Sequence, residues 1–431
     1  MVGAGTMGAG IAQLGAAAGM ETQLHDPDAE ALERGLEDGV SPASGLDELA
    51  GCELIVEAAP ERRELKRDLF SRLSGIAPDA VLATNTSSIP VTALASAAAR
   101  PELVVGMHFF NPPAKMRLVE VIAAAQTGDQ ALRAAESCAE AMGKRVIRAG
   151  DGPGFLVNRC GRPFGAEALR LLTERVATVE QIDRICRLGG GFRMGPFELM
   201  DLVGIDVGLE VAKSFTELSF GEPRWRPSPL QQRMVDAGRL GRKSGRGWYE
   251  YGDGRHRARD PEPSGESPPW AEVREAADAA GLRWSGQRSP SMRRDLSITG
   301  YYLLPGARLV ELSGTRSEEA EELFTSLGLE VEWLARDAPG GVAGRIVCQL
   351  VNEAAFAIGE GVGSAEDVDA GMTLGLNHPR GPVAWGEAIG LEEVLVTIEA
   401  LWAERREERY RSAPLLRRAV ALDVSLEEAT G

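Results

Sequence analysis

The first eight residues hold the pattern that most limits how this chain can fold. Gly3, Gly5 and Gly8 stand in a G-x-G-x-x-G arrangement, and a run of mostly small residues at 9–13 follows. In a dinucleotide-binding fold, the first glycine permits a tight turn and the second lets backbone N–H groups approach a pyrophosphate. The third lets the next helix pack closely on the sheet. Glycine-rich helix starts also occur for packing reasons alone, so the pattern by itself is weak.

An acidic residue at the expected distance supports a nucleotide site. Residues 21–26 are predicted to form a strand that ends in Asp26, 18 residues after Gly8. An NAD site places a carboxylate there to bind the ribose hydroxyls, and no arginine follows Asp26 directly, which favours NAD over NADP. We therefore predict an NAD-binding domain whose cofactor residues include Gly3, Gly5, Thr6, Met7, Gly8 and Asp26.

The start of the chain conflicts with this prediction in one respect. A glycine fingerprint normally follows a strand, yet only Met1 and Val2 precede Gly3. We expect the first strand to be truncated and the native chain to begin several residues upstream, which mass spectrometry of the native N-terminus would test. The uncharged residues 1–20 lack the basic region of a signal peptide and the large aliphatic residues of a membrane span, so a cytoplasmic protein is predicted.

Strands alternate with helices through the first part of the chain. Buried strands are predicted at 52–58, 80–85, 102–107 and 116–122, with a helix at 61–73. This alternation predicts a Rossmann-type doubly wound parallel sheet with ligands at the carboxyl ends of its strands.

Polar residues collect at the ends of these strands, namely Ser87, His108, Asn111, Glu120 and, later, Asn158. A lone histidine after an apolar strand is more often a satisfied core residue, but His108 comes with an acid, Glu120, in the next strand. A carboxylate on one ring nitrogen fixes the tautomer and stabilises the imidazolium, which leaves the other nitrogen to remove a hydroxyl proton. When that proton is removed and a hydride leaves the carbon that bears the hydroxyl group, the reaction is the oxidation of an alcohol by NAD.

Several segments together resemble the 3-hydroxyacyl-CoA dehydrogenases, in that family's order and spacing. The likeness runs over residues 1–251, with a weaker form in the rest, and is carried by Gly3–Gln13, Asn85–Ser88, Met107–Pro112, Leu118–Ile122, Gly152–Arg159 and Arg242–Tyr249. The resemblance implies an α/β NAD-binding domain followed by an all-α domain like that of 6-phosphogluconate dehydrogenase. It also implies NAD-linked oxidation of an (S)-3-hydroxyacyl-CoA, or the reverse, on a short or dicarboxylic acyl chain.

The same resemblance implies roles for individual residues. His108 would be the general base and Glu120 its partner, Asn158 and Ser87 would bind the substrate, and Asn111 would lie beside the thioester. Glu61, Lys66 and Asn85 would lie near the cofactor, although a solvated helix face is an equally good interpretation of Glu61 and Lys66.

The sequence departs from the family between Asp26 and the strand at 52–58. Relatives usually carry a long helical pair there that helps to hold coenzyme A, whereas residues 27–53 have room for one short helix. Arg62, Arg63, Lys66 and Arg67 offer substitute phosphate contacts, although a charged helix face is the simpler interpretation. A dehydrogenase of free 3-hydroxy acids or carrier-protein thioesters, and a catalytically dead NAD-binding protein, therefore remain alternatives.

An internal repeat at an offset of 186 residues runs through the second half. It pairs, among others, Asp151 with Asp337, Arg159 with Arg345 and Gly189 with Gly375. In the second copy Tyr302 stands for His108 and Gly344 for Asn158, so that copy is not expected to be catalytic. We predict an NAD-binding domain at 1–149, a helical copy at 150–251, a linker at 252–269, a shortened Rossmann remnant at 270–336 and a second helical copy at 337–431.

Charge and cysteine usage restrict the partners. The 431 residues carry a formal net charge of −17, which argues against nucleic acid and anionic membranes as ligands. The five cysteines have no metal-ligand spacing, so no metal is expected. We expect an acyl-CoA partner and leave homo-oligomerisation open, with the second helical copy packing on the first where single-copy relatives would use another subunit.

Overall fold

The computed structural model describes residues 1–252, 255–261, 267–286 and 299–431. Contacts divide the chain into two compact units, one of 1–159 with 361–376 and one of 160–360 with 377–431. Parts of the predicted linker and of the predicted Rossmann remnant, 253–254, 262–266 and 287–298, lie outside the described residues. Within the described ranges, no helix has the length and apolar character needed to cross a membrane.

Strands and helices alternate up to residue 150, and the later elements are mostly helical. The first part comprises α1 (Thr6–Ala17), β1 (Thr22–Leu24), α2 (Ala29–Gly35), β2 (Val40–Pro42), β3 (Leu54–Glu57), α3 (Arg63–Ile76), β4 (Val81–Thr84), α4 (Val91–Ala95), β5 (Val104–Phe109), β6 (Leu118–Ala123), α5 (Asp129–Ala141) and β7 (Arg145–Gly150). The second part comprises α6 (Val157–Thr173), α7 (Val179–Gly190), α8 (Pro196–Val203), α9 (Ile205–Leu218), α10 (Pro229–Asp236), α11 (Trp270–Ala279), β8 (Arg283–Trp284), β9 (Gly300–Tyr302), β10 (Leu309–Ser313), α12 (Glu318–Ser326), β11 (Glu330–Trp333), α13 (Ala343–Gly359), α14 (Ala365–Gly375), α15 (Pro382–Ile389), α16 (Leu391–Arg405) and α17 (Pro414–Leu422).

The first unit contains two groups of paired strands that the start of the chain joins. β3 to β7 form a five-stranded sheet in that order, and β1 pairs with β2 in parallel. Val2 forms parallel bridges to His25, next to β1, and to Glu57 at the end of β3. The residues before the glycine loop therefore occupy the central position between the two groups of strands. The strands predicted in this part of the chain are all present.

Two strands of this sheet, β6 and β7, run in the direction opposite to the other three. β3, β4 and β5 are mutually parallel and β6 is parallel to β7, but β6 is antiparallel to β5. The connection between β5 and β6 is too short for the crossover that a parallel pair requires. Glu120 lies inside β6, within the strand predicted at 116–122. The prediction that His108 comes just after a strand is wrong, because His108 lies inside β5, directly opposite Glu120.

The core of the first unit explains the apolar runs of its strands. Val81, Val105 and Val121 are buried in one cluster with Ile11 of α1 and Ala135 of α5. Because helices cover the sheet, β4 and β5 are buried along their whole length, as expected for near-continuous apolar strands.

The region between Asp26 and β3 is as short as the sequence predicts. It contains the seven-residue helix α2, the three-residue strand β2 and one 3-10 segment, Leu46–Gly51. Asp28 caps α2 by accepting hydrogen bonds from the backbone N–H groups of Glu30 and Ala31.

The second unit contains a four-stranded sheet in the order β11-β10-β9-β8. β9 and β10 are antiparallel, and Tyr302 lies opposite Glu311. In the first unit His108 lies opposite Glu120 in the same way. The register of the second copy thus agrees with the alignment predicted from the repeat.

Equivalent helices of the two helical copies pack on different sheets. In the second unit α7 packs on β10, and Gly189 near its end faces Leu309 and Ala343. In the first unit α14 packs on β6 and β7, and Gly375 at its end faces Leu118 and Val157. Each helical copy therefore places one helix on the sheet of the other copy.

The two helical copies also contact each other within the second unit. Arg345 of α13 is fully buried and donates hydrogen bonds to Glu167 at 2.8 Å and Glu174 at 2.7 Å. Arg224 donates to Glu353 at 2.9 Å in the opposite sense. These contacts provide the packing of second copy on first that the sequence predicts.

Candidate active site

The glycine loop shows why each of its glycines is needed. Gly3 has a φ of 99°, and a Cβ there would lie 2.7 Å from the carbonyl oxygen of Ala58. A Cβ on Gly8 would overlap the carbonyl oxygen of Gly3, whereas nothing lies within 4 Å of the Cβ position of Gly5. The loop is therefore closely packed on the protein side and open at Gly5, which is the position that a phosphate must approach.

The start of α1 and the Asp26 carboxylate flank this opening. Gly5 is the N-cap of α1, and no side chain caps the helix, so its first N–H groups are available to an anion. Asp26 accepts a hydrogen bond from the Ala4 N–H at 2.7 Å and another from the Asp28 N–H at 2.9 Å. The carboxylate predicted for the ribose is thus fixed beside the glycine loop. Thr6 and Met7 form the first turn of α1.

Lys66 is enclosed by two carboxylates rather than exposed on a helix face. Its Nζ lies 2.7 Å from Glu57 and 3.4 Å from Glu61, and its side chain is 1% exposed. The solvated-face interpretation is therefore wrong for Lys66. Thr84 donates to the other oxygen of Glu57 at 2.8 Å. Sequence reasoning missed Glu57 because it looked like the last residue of an apolar strand.

Glu61 organises the loop that follows β4. Its carboxylate accepts hydrogen bonds from the Thr86 hydroxyl, at 2.5 Å, and from the backbone N–H groups of Ser87 and Ser88, each at 3.1 Å. Burial opposes ionisation of Glu61, but the Lys66 ammonium and these donors lower its pKa below the usual range. Glu61 and Lys66 therefore support the loop that carries Asn85 and Ser87. Asn85 Oδ1 accepts the Phe109 N–H at 2.8 Å.

His108 and Glu120 form a buried pair. His108 Nδ1 lies 2.6 Å from Glu120 Oε2, and the two residues are 6% and 0% exposed. The other oxygen of Glu120 accepts the N–H groups of Leu156 and Val157, at 3.1 and 2.9 Å, where α6 begins. Both carboxylate oxygens are therefore occupied. Among the described residues only Nδ1 of His108 has a hydrogen-bond partner, which leaves Nε2 for a ligand.

The other predicted substrate residues lie at the ends of elements near this pair. Asn158 is half-buried in the first turn of α6, next to Val157. Asn111 and Ser87 are exposed, after β5 and β4 respectively. Within the described residues, no hydrogen bond joins the side chains of Asn158, Asn111 or Ser87 to His108 or Glu120.

Two aromatic rings that sequence reasoning did not single out enclose His108. The ring centroid of Phe110 lies 4.8 Å from that of the imidazole, and that of Phe155 lies 5.8 Å away. Phe155 has a φ of 51°, an uncommon conformation for a side chain of this size. Both residues stand inside the motifs given above, since Phe110 comes two residues after His108 and Phe155 directly follows Gly154. Their place in those motifs was the signal that could have identified them.

The second copy has an equivalent buried glutamate at the start of a helix, but it lacks the histidine and the asparagine of this site. Glu311 accepts the N–H groups of Val342 and Ala343, at 2.5 and 3.0 Å, as Glu120 does at α6. Tyr302 takes the place of the histidine, and a Cβ on Gly344 would overlap the Tyr302 ring. The tyrosine therefore occupies the space that an asparagine side chain would need.

Family models match most of the chain. The model described as "3-hydroxyacyl-CoA dehydrogenase, NAD binding domain" matches in two segments, residues 1–41 and 37–152. The two segments meet within the shortened region at 27–53. The model described as "3-hydroxyacyl-CoA dehydrogenase, C-terminal domain" matches twice, at 154–251 and 340–430.

Individual relatives divide into full-length and shorter matches. The chain is 36% identical to a 3-hydroxyadipyl-CoA dehydrogenase of Escherichia coli, over 99% of this chain and 98% of that one. It is 42% identical to a probable 3-hydroxybutyryl-CoA dehydrogenase of Deinococcus radiodurans, over 58% of this chain and 99% of the relative. A crystal structure of 3-hydroxybutyryl-CoA dehydrogenase from Escherichia coli K12 matches with a TM-score of 0.88 and 34% identity, over 100% of this chain and 98% of that one.

Proposed function

We propose that this chain, which belongs to the 3-hydroxyacyl-CoA dehydrogenase family, interconverts an (S)-3-hydroxyacyl-CoA and its 3-oxoacyl-CoA with NAD, using His108 as general base. The observation that carries this assignment is the buried His108–Glu120 pair, in which one ring nitrogen is bonded and the other is open. We also propose that Glu120 assists His108 and that Asn158 and Ser87 bind the substrate.

The protein's part in the reaction is to hold and move one proton. Glu120 accepts hydrogen bonds from the start of α6, so it is fixed as a carboxylate facing Nδ1 of His108. It keeps the Nδ1 proton in place, so Nε2 faces the substrate as the basic nitrogen. Nε2 removes the proton of the 3-hydroxyl group, and the carboxylate stabilises the imidazolium that results. Phe110 and Phe155 limit access of water to the ring.

The residues around the glycine loop suit the pyrophosphate and ribose of NAD. The open Cβ position of Gly5 and the uncapped start of α1 fit a phosphate, and Asp26 is held where a ribose hydroxyl can donate to it. NAD supplies the acceptor of the hydride when it is bound. Glu61, Lys66 and Asn85 fix the neighbouring loop from the protein side.

We also propose the class of the acyl group and that coenzyme A carries it. The named relatives act on hydroxyadipyl-CoA or hydroxybutyryl-CoA, so we propose a short or dicarboxylic acyl chain. The single short helix α2 between β1 and β2 keeps free 3-hydroxy acids and carrier-protein thioesters as a second candidate.

A direct test follows NADH consumption with acetoacetyl-CoA, 3-oxoadipyl-CoA and the unesterified 3-oxo acids. His108→Gln should abolish turnover and leave NADH binding, followed by fluorescence, nearly unchanged. Tyr302→Phe, at the equivalent position of the second copy, is the matched control and should retain full turnover. Full activity in His108→Gln would refute the assignment, and activity on the free acids alone would establish the second candidate.

We also propose that the second helical copy takes the place of a partner subunit. The buried pairs of Arg345 with Glu167 and Arg224 with Glu353 support this, since each joins one copy to the other within the chain. The Deinococcus radiodurans relative aligns with only 58% of this chain but over 99% of its own length, as expected for a protein with a single helical copy.

A further inference from the structure

Three charged side chains meet at the carboxyl end of β3, where two negative charges face one positive charge. The Lys66 Nζ lies 2.7 Å from Glu57 and 3.4 Å from Glu61. In the part of the chain that the structure describes, this ammonium contacts no third carboxylate. Glu61 and Lys66 would form a neutral pair by themselves, so Glu57 gives the group a net charge of −1. We call Glu57, Glu61 and Lys66 the charged triad.

Both carboxylates of the charged triad are surrounded by hydrogen-bond donors. Glu57 accepts the Ala59 N–H at 2.6 Å and the Lys66 ammonium on one oxygen, and the Thr84 hydroxyl at 2.8 Å on the other. Glu61 accepts hydroxyl and N–H groups of the loop after β4. Surroundings that donate hydrogen bonds to both groups favour their ionised forms. Because the Glu57 and Lys66 side chains are each 1% exposed, dissolved salt screens the net charge only weakly.

The strand order of the first unit places the charged triad beneath the path of a bound cofactor. Val2, just before the glycine loop, forms a parallel bridge to Glu57. Glu57 lies opposite Thr84 of β4, which in turn lies opposite β5 two residues before His108. The ends of β3 and β4 therefore separate the glycine loop from His108. A cofactor that binds its pyrophosphate at the glycine loop and exchanges a hydride beside His108 must cross these two strand ends.

The oxidised and reduced cofactors differ by one charge on the nicotinamide ring. The ring of NAD⁺ is positive and loses that charge when it accepts a hydride, whereas the phosphates and riboses are the same in both forms. Two strand spacings put a ring beside β5 roughly 8–10 Å from Glu57. With an effective dielectric constant of about 30–40, one negative charge at that distance favours the positive ring about 4- to 10-fold in affinity.

We propose that the net negative charge of the charged triad raises the affinity of this protein for NAD⁺ relative to NADH, and that Glu57 is the residue responsible. This inference deepens the proposed function, because it rests on NAD binding at the glycine loop. By linkage, the reduction potential of the bound cofactor falls by the same factor, and a tenfold change equals about 30 mV for a two-electron couple. Bound NADH thereby becomes a stronger hydride donor.

The test measures the Kd of both cofactor forms in the absence of substrate, by fluorescence titration for NADH and by its displacement for NAD⁺. In Glu57→Gln the charged triad becomes neutral, and the ratio of the NAD⁺ Kd to the NADH Kd should rise about 4- to 10-fold, mainly through weaker binding of NAD⁺. Glu61→Gln removes the same charge from a side chain that is 37% exposed and should raise the ratio as well. That variant decides the question if Glu57→Gln does not fold.

A double variant and a surface control separate charge from packing. Glu57→Gln combined with Lys66→Met leaves the single negative charge of Glu61, so the ratio should return to within about twofold of wild type although two buried side chains are changed. Glu64→Gln removes an exposed carboxylate from the first turn of α3 and should leave the ratio within about twofold, because water and salt screen that charge.

A ratio that rises in Glu57→Gln and falls back in the double variant would support the inference. Equal weakening of NAD⁺ and NADH, or an unchanged ratio in every folded variant, would overturn it and leave the proposed dehydrogenase intact. A ratio that stays high in the double variant would assign the change to lost packing and overturn it as well. Wild-type protein that binds neither form would overturn both the inference and the proposed function.

Discussion

Adding one methyl group at Gly375 tests whether α14 supports the candidate active site. A Cβ there would lie 2.9 Å from Leu118 Cδ2, 3.3 Å from Val157 Cγ1 and 3.4 Å from Phe110 Cε1. These side chains belong to the start of β6, the start of α6 and the aromatic enclosure of His108. In Gly375→Ala, they must move apart by a few tenths of an ångström.

Gly189 provides the matched control, because it is the equivalent residue of α7. A Cβ there would meet Ile185, Leu309 and Ala343 at 3.7 to 3.9 Å, which is ordinary van der Waals contact. Replacing glycine by alanine in a helix gains about 0.5–1 kcal/mol, whereas overpacking costs about 1–3 kcal/mol. We expect Gly189→Ala to be stabilised by about 0.5–1 kcal/mol and Gly375→Ala to be destabilised by about 0.5–2 kcal/mol.

Thermal unfolding and steady-state kinetics measure the two consequences. At roughly 2–4 °C per kcal/mol, Tm should rise by about 1–4 °C in Gly189→Ala and fall by about 1–8 °C in Gly375→Ala. Because the Val157 N–H holds Glu120, kcat should fall severalfold in Gly375→Ala alone, with KM for NADH unchanged. If the two variants shifted Tm in the same direction and kept wild-type kcat, the supporting role of α14 would be wrong.

The remaining predictions concern the acid, a buried histidine and the second half of the chain. Glu120→Gln should lower kcat on the order of 100-fold, since an amide stabilises the imidazolium less than a carboxylate does; wild-type kcat in this variant would contradict the pairing. Burial lowers the pKa of His378 from 6.5 to about 4, so its stabilisation is complete above 6.5 and is lost as pH falls toward 4. His378→Phe should therefore gain Tm relative to wild type between pH 7 and pH 5, and equal slopes in the two proteins would argue against this. Deleting residues 252–431 should yield an aggregating or obligately dimeric fragment by light scattering, whereas a monodisperse monomer would exclude the role proposed for the second helical copy.

Local patterns in the sequence were enough for the glycine loop and for the strands of the first unit. Gly3 must be glycine because it contacts Ala58, and Gly8 must be glycine because it contacts Gly3. Glycines occur at this same spacing in any loop of this kind, so the sequence pattern reveals them. The pairing of His108 with Glu120 could also be predicted, because the two residues are close in the sequence. A short connection between the antiparallel strands β5 and β6 places them opposite each other.

Contacts between distant residues could not be predicted in the same way. Glu57 binds Lys66 because α3 returns over the end of β3, which no local pattern records. The direction of β6 was missed because an apolar strand has the same composition in either direction.

The occupied space between Tyr302 and Gly344 has a consequence for binding stoichiometry. Because that position is filled and the sequence of the second copy has no glycine loop, we expect one nicotinamide site and one acyl site per chain despite the duplicated architecture. Saturation with NADH should therefore reach one equivalent per polypeptide. The titration curve should be hyperbolic, and any cooperativity must then come from association between chains.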